Sequence, residues 1–428
     1  MDMKLPFSTE GMQLHLDDDL DFEILTSSIE SMPKSDKTED EIVLEAMANP
    51  IGSPKLSELS VGKKNVVIIC SDHTRPVPTK HIIPFMLREI REGNKDAHIT
   101  LLIATGFHRE TTKEELIHKF GEEIVENEKI VIHDSRDMDA MVNLGVLPSG
   151  APLLINKIAA CADLLVSEGF IETHFFAGFS GGRKSVLPGV SSKVTVLGNH
   201  CSAFIDSPYS RTGILENNPI HRDMVAASKM AKQTYIVNTV IDADKKVVYA
   251  VAGDAIKAHE AGCKFLQKYC QVMPKKAADI AISTNGGYPL DQNMYQSVKG
   301  MTAAEAAAKD GGILIMVSNC GDGHGGEGFY EALRDCESPA ALMEEILKVP
   351  QDQTKPDQWE YQIQSRILMH HRVIYVMCEK YRKMAKEMGF EVAADVNEAL
   401  EMALKETGRG AHIAVIPDGV SVMVKAPQ

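Results

Sequence analysis

The sequence has a single tryptophan, an aromatic share of 6%, and no C-x-x-C pair among its eight cysteines. Scattered as Cys70, Cys161, Cys201, Cys263, Cys270, Cys320, Cys336 and Cys378, the cysteines suit reduced, mostly buried thiols rather than a zinc knuckle or a disulfide frame. No apolar run approaches the ~20 residues that cross a bilayer. The opening residues, MDMKLPFSTEG, lack a basic stretch followed by an apolar core. A cytoplasmic protein with no membrane contact is the expectation. Positive charge is also scarce, with 45 Lys and Arg against 60 Asp and Glu for a net charge of −15. That balance argues against a nucleic-acid partner or an anionic membrane surface. A small anionic ligand would need a locally basic pocket.

What is present suits a packed fold: 44% hydrophobic and 25% charged residues over 428 positions, a length that favours more than one domain. Short β-branched runs at 66–70, 98–105, 130–133 and 162–167 alternate with helical patterns at 82–92 and 113–120, after an earlier helical segment at 38–47. A second block repeats the alternation, with a strand at 278–283, a helix at 292–309 and a strand at 312–318. Strand, helix, strand in that order predicts parallel sheets covered by helices. The expected fold class is therefore α/β, with two α/β domains, mostly parallel sheets and an active-site cleft between them. An amphipathic helix over 255–268 followed by a Lys- and Ala-containing stretch sets the boundary near 272, dividing the chain into 1–272 and 273–428. The strand-like stretch 412–424 fits either domain. Ligands of open α/β sheets bind beyond the carboxyl ends of strands, so the loops at those ends come first.

Ser71-Asp72-His73-Thr74-Arg75-Pro76 directly follows the first strong strand, and such a loop can present Arg75 to a carboxylate or phosphate. A helix cap at Asp72 or Thr74 beside a solvated arginine explains the same residues equally well. Thr105-Gly106-Phe107-His108-Arg109 stands in the corresponding place after the next strand, where Gly106 permits a tight turn and His108 becomes an acid/base candidate. The densest segment runs from Glu172 to Ser185 and contains His174, Gly181, Gly182, Arg183 and Lys184. Its glycines would let backbone N–H groups approach a phosphate, with Arg183 and Lys184 supplying charge. A Walker A loop starting at Gly178 would need glycine where Arg183 stands, so that match fails. His108, His174 and His200 lack the spacing of a helical zinc pair, although neighbouring loops can gather them, and imidazole suits nickel as well as zinc. On the helix expected at 292–309, Tyr295 and Lys299 share a face beside Gln296. By pattern alone that face is simply a wet one. Trp359, in the polar run Asp357-Gln358-Trp359-Glu360, either lines the pocket or anchors a domain contact.

Taken together, Ser71 to Pro76, Thr105 to His108, His174 with Gly181 to Ser185, His200, and Gly287-Tyr288-Pro289-Leu290-Asp291-Gln292 resemble the lactate racemase family. The resemblance is strong from about 66 to 300, and Trp359 extends it. It implies an isomerase, a racemase or epimerase that inverts C2 of a small anionic 2-hydroxy acid, either lactate or a larger or dicarboxylic one. The implied cofactor is a nickel-pincer nucleotide, a pyridinium mononucleotide whose two sulfur arms hold nickel. It would be covalently attached at Lys184, with His200 on the metal and Asp72, Gly181, Gly182 and Arg183 around it. His108 and His174 match the paired acid/base residues, and Arg75, Tyr295, Gln296, Lys299 and Trp359 match the substrate site. The same likeness makes 1–272 the cofactor-binding domain and 273–428 the substrate-cleft domain, and implies that separate cofactor-biosynthesis proteins mature the enzyme. Two other readings fit the residues: a zinc-dependent hydrolase built on the three histidines, and a non-catalytic carrier of a nucleotide cofactor.

Overall fold

The structure, a computed structural model, describes residues 1–32 and 36–425. Among the described residues two six-stranded sheets dominate. The first has the spatial order Val247–Asp254, Gln233–Ile241, Leu164–Phe170, Asn65–Ser71, His98–Ala104, Lys129–Ile132. It is parallel except for Val247–Asp254, which runs antiparallel to its neighbour. Val66, Ile68, Ile69 and Cys70 are fully buried, as a strand covered on both faces requires, and the continuous apolar run in the sequence has that origin. The covering helix Ile83–Gly93 turns Ile83, Met86, Leu87 and Ile90 inward at helical spacing.

The second sheet is parallel throughout, in the order Glu391–Ala393, Arg372–Val376, Ala308–Val317, Ala278–Thr284, His412–Ile416, Asp21–Ile24. The expected α/β class with mostly parallel sheets is what is observed. Helices expected at 255–268 and 292–309 span Lys257–Cys270 and Met294–Ala307, the latter capped by the Asn293 side chain accepting from the Gln296 amide. The helix expected at 38–47 is Glu39–Ala48, opened by a reciprocal cap between Thr38 and Glu41.

One expectation fails. Residues near the start, assigned with 1–272, pack on the second sheet: Asp21–Ile24 pairs with His412–Ile416. Leu5, Leu14, Leu16 and Leu20 bury into one apolar cluster with Ile280, Ile282, Leu400 and Val415, and Arg409 ties to Asp17 and Asp19. The cause is apolar burial against a partner that local sequence patterns do not reach. The stretch 412–424, left open between the domains, divides its contacts. His412–Ile416 joins the second sheet, whereas Met423–Val424 pairs with Gln271–Val272.

The loops beyond the carboxyl ends of both sheets converge on one cleft of about 1730 Å³. The two halves are joined beside it by hydrogen bonds from Thr173 Oγ1 to the Val420 carbonyl (2.7 Å) and from Gln362 Nε2 to the Ser202 carbonyl (2.9 Å). No described helix is long and apolar enough to cross a membrane.

If the first residues are part of the second core, Leu14→Ala will cost about 2–5 kcal/mol of unfolding free energy, as for other fully buried leucines. Denaturant titration measures it, and a cost under about 1 kcal/mol would show the segment to be a loose appendage.

Candidate active site

The strand Asn65–Ser71 ends at Asp72, which is 1% exposed. Its Oδ1 accepts from the Thr74 hydroxyl (2.7 Å) and amide (3.2 Å), and its Oδ2 lies 2.6 Å from His108 Nδ1. Burial works against the Asp72 charge, but the His108 hydrogen bond, with Thr74 and Arg75, outweighs it and holds the carboxyl below its ordinary value. An ionised carboxylate only accepts, so Nδ1 of His108 carries a proton and the ring is turned with Nε2 away from Asp72. His108 comes from the turn after His98–Ala104, where Gly106 adopts φ +54°.

His174 lies in a short hairpin, Thr173–His174 against Gly178–Phe179, just beyond the strand Leu164–Phe170. Its ring sits between Phe175 and Phe176, with centroids 5.2 and 4.5 Å away. Burial pushes its pKa well down, and Lys184, Lys299, His200 and Arg75 push the same way, so the ring is neutral. Nδ1 accepts the Ala177 N–H at 3.3 Å, which leaves the proton on Nε2. The two rings are therefore held in opposite senses, His108 donating through Nδ1 and His174 accepting there.

His200 closes the helix Lys193–Asn199 and is 6% exposed. Its Nδ1 donates to the Val196 carbonyl at 3.0 Å, freeing the Nε2 lone pair, the form in which imidazole binds a metal. Burial, reinforced by Lys184, pushes its pKa down to about 3. Lys184, in the turn Gly182–Ser185, has its amine pushed well down by burial first and then by Arg183 and Arg75, with Glu172 opposing.

From the other sheet, Tyr295, Gln296 and Lys299 enter on the helix Met294–Ala307, with Lys299 Nζ donating to Gln296 Oε1 at 2.6 Å. Burial lowers the Lys299 pKa, Arg75 adds to that, and Glu360 and Glu172 oppose it. Trp359, on the helix Gln358–His370, meets the His200 ring edge-on at 5.1 Å and Phe107 at 6.3 Å, spanning the two halves. Asp72, Arg75, His108, His174, Gly181, Lys184, His200, Tyr295, Gln296, Lys299 and Trp359 all line the one cleft.

Arg183 does not. Fully buried, its guanidinium donates to the carbonyls of Ala177 (2.8 Å), Phe179 (2.7 Å) and Gly181 (3.2 Å), and its Nε to His221 Nδ1 (3.0 Å). A glycine-rich turn leaves carbonyls without partners, and Arg183 satisfies them from behind instead of facing a phosphate. Gly182 is turned inward too: its amide donates to Asn238 Oδ1 at 2.8 Å, and a Cβ there would lie 2.7 Å from the His259 ring. A Cβ on Gly181 would fall 2.8 Å from the Phe170 carbonyl, so close packing accounts for both glycines.

Residues not singled out from the sequence also border the cleft: Glu168, Lys119, Glu172 and Glu360. Glu168 is the one carboxylate in the apolar strand Leu164–Phe170, a signal that was there to be read. Glu360 is 2% exposed, its Oε2 has no partner, and burial pushes its carboxyl up while Lys299 draws it down. Among the described residues no three His, Cys, Asp or Glu side chains are gathered so as to hold a metal ion. The three histidines therefore do not form a zinc tripod.

Burial, and then Arg183, pushes His221 down to about 3 from an ordinary 6.5. The unfolded chain takes up that proton near 6.5 and the folded chain only near 3, so stability is complete above pH 6.5 and falls as the pH drops between those values. His221→Gln keeps an acceptor for Arg183 but cannot be protonated. Its unfolding free energy, followed by urea titration from pH 7 to 4, should fall less steeply than that of the parent, and identical slopes would count against a neutral His221.

Comparison with known proteins agrees with this architecture. Residues 7–213 match the signature of the lactate racemase N-terminal domain, and residues 273–424 that of the lactate racemase C-terminal domain. A lactate racemase of Thermoanaerobacterium thermosaccharolyticum is 53% identical over 99% of both chains. A lactate racemase of Lactiplantibacillus plantarum is 54% identical over 91% of both. The solved apoprotein of the T. thermosaccharolyticum racemase superposes with a TM-score of 0.95, covering 99% of this chain and 100% of that one. A Thermotoga maritima protein of 19% identity shares the fold at a TM-score of 0.64, over 92% of this chain and 100% of its own. The chain belongs to the lactate racemase family.

Proposed function

We propose that the protein is an isomerase that racemises or epimerises a 2-hydroxy carboxylic acid, lactate or a larger or dicarboxylic relative. Its cofactor is a nickel-pincer nucleotide attached at Lys184. The observation that carries this reading is the pair of histidines, His108 held at Nδ1 by the Asp72 carboxylate and His174 buried and neutral, lining one cleft with Arg75, Lys184 and Lys299. The names of relatives 53% and 54% identical support it.

The residues fit the cofactor. His200 offers an unprotonated Nε2, and among the described residues no other His, Cys, Asp or Glu side chains gather with it as ligands, which suits a metal whose remaining donors come from the cofactor's own soft sulfur arms. Lys184 faces the cleft with its amine pushed toward the neutral, nucleophilic form. Gly181 and Asp72 border the same space. When bound, the nickel-pincer nucleotide supplies a reversible acceptor for the hydrogen at C2 as hydride, avoiding a carbanion beside a carboxylate.

The chain's own residues do the rest. Arg75 and Lys299 hold the substrate carboxylate, and Tyr295 and Gln296 offer further hydrogen bonds. His108 Nε2 takes the hydroxyl proton, and the Asp72 carboxylate at Nδ1 stabilises the imidazolium that results. His174 presents Nε2–H to the oxygen on C2 from its own side and serves the opposite enantiomer once its proton is redistributed. The 2-keto acid formed between enantiomers is planar at C2, so hydrogen can return to either face. Trp359 and the Phe175–Phe176 pair give this space an aromatic wall beside His200 and His174. The eight cysteines are unpaired, in keeping with a cytoplasmic enzyme matured there by separate cofactor-biosynthesis proteins.

Protein made with those proteins should carry stoichiometric nickel and a mass increase on Lys184 that Lys184→Ala abolishes, and should interconvert hydroxy-acid enantiomers without added NAD. A loaded chain that leaves every 2-hydroxy acid optically unchanged would refute the reading in favour of a carrier. His108→Ala and His174→Ala should each lower kcat by about 10²–10⁴. Asp72→Asn, which cannot hold the His108 Nδ1 proton as a carboxylate does, should lower kcat expressed per bound nickel. Racemisation surviving either histidine change within about threefold would remove that residue from the chemistry.

A further inference from the structure

The loop from Ser71 to Thr79 carries two of the groups on which the proposed reaction rests, Asp72 and Arg75. Glu168, 1% exposed on the strand next to Asn65–Ser71, grips both ends of it. Glu168 Oε1 accepts from the Ser71 amide (2.9 Å) and from the Ser71 hydroxyl (2.9 Å), and Oε2 accepts from the Thr79 hydroxyl (3.2 Å). Between those ends Lys119, 9% exposed on the helix Lys113–Phe120, donates its Nζ to the Arg75 carbonyl at 3.2 Å. Burial pushes the Lys119 pKa down, and Glu168 is the first group to oppose that.

A carboxylate buried in an apolar strand is costly unless its oxygens are met by donors. Here every such donor belongs to a single loop. We propose that Glu168 and Lys119 are positioning residues for catalysis, which hold the Asp72–His108 pair and Arg75 in working geometry without touching substrate. The inference rests on the racemase reading. Its energetic lever is large, because Asp72 in turn orients His108, and a displacement of about 1 Å at a reacting group lowers a rate by about 10².

Glutamine at 168 can replace the whole arrangement: its carbonyl accepts the two Ser71 donors and its amide donates to the Thr79 hydroxyl, whose own hydrogen turns to the Val77 carbonyl (3.4 Å). Alanine can replace none of it. The test compares Glu168→Ala, Glu168→Gln and Lys119→Met in cofactor-loaded protein, with kcat and KM expressed per bound nickel. In the unloaded protein, ¹⁵N-imidazole NMR follows the His108 Nδ1 proton bonded to Asp72. Glu168→Ala is expected to lower kcat and raise KM by about tenfold or more each and to lose that resonance, while Glu168→Gln stays within about threefold and keeps it. Lys119→Met should raise KM with kcat within about threefold. The proposal is overturned if Glu168→Ala leaves kcat, KM and the resonance as they were, or if Glu168→Gln is as damaging as alanine. Should Glu168→Ala fail to fold, an unchanged KM in Lys119→Met overturns it equally. A loaded parent chain that does not racemise would instead refute the functional reading, and the resonance would still decide the positioning.

Discussion

Three side chains of one sign, Arg75, Lys184 and Lys299, share one cleft, with Arg75 exposed and the two lysines set deeper, and much else follows from that crowding. Like charges in a desolvated space disfavour one another's charged forms. Burial first, and these like charges after it, push down the amines of Lys184 and Lys299 and the imidazoles of His174 and His200. A neutral lysine is a nucleophile, a neutral imidazole is a metal ligand or a base, and a residual positive field draws an anion. The acidic surface of the chain makes that local field selective, since little else on the molecule attracts a small carboxylate.

Against this background the two histidines are distinguished by their backs as well as by burial, His108 being exposed and His174 enclosed by Phe175 and Phe176. His108 leans on a carboxylate and His174 on a backbone N–H. A carboxylate partner stabilises the charge that a base acquires, whereas an amide partner does not. The asymmetry is built from a buried aspartate on one loop and a three-residue hairpin turn on another, each supported by a different strand of the same sheet.

The strand-end loops were legible because the sequence alternates period-two and period-3.6 patterns so regularly that the carboxyl ends of the strands, and hence Asp72, His108 and His174, could be located before any coordinates. Lys184 and His200 stood out through the order of several motifs together. What stayed hidden has physical reasons. Arg183 sits beside Lys184 in sequence, yet neighbouring residues in a tight turn point in different directions, and the guanidinium went to orphaned carbonyls. Residues 1–25 show no local sign of joining a sheet whose partner strand lies near the other end of the chain. Glu168 is masked by a strand that reads as apolar, although a single carboxylate there is explicable only by donors brought from elsewhere.

The crossing of Asp21–Ile24 to the second sheet also bears on synthesis. Arg409, which clasps Asp17 and Asp19, emerges some 390 positions after them, so while the ribosome is still building the chain these early leucines have nothing to bury against. Nascent apolar strands without partners are prone to associate with one another. The acidic run Asp17-Asp18-Asp19 just ahead of the strand places repulsive charge where such association would begin, and the arginine that later pairs with Asp17 and Asp19 also marks the arrival of the proper partner.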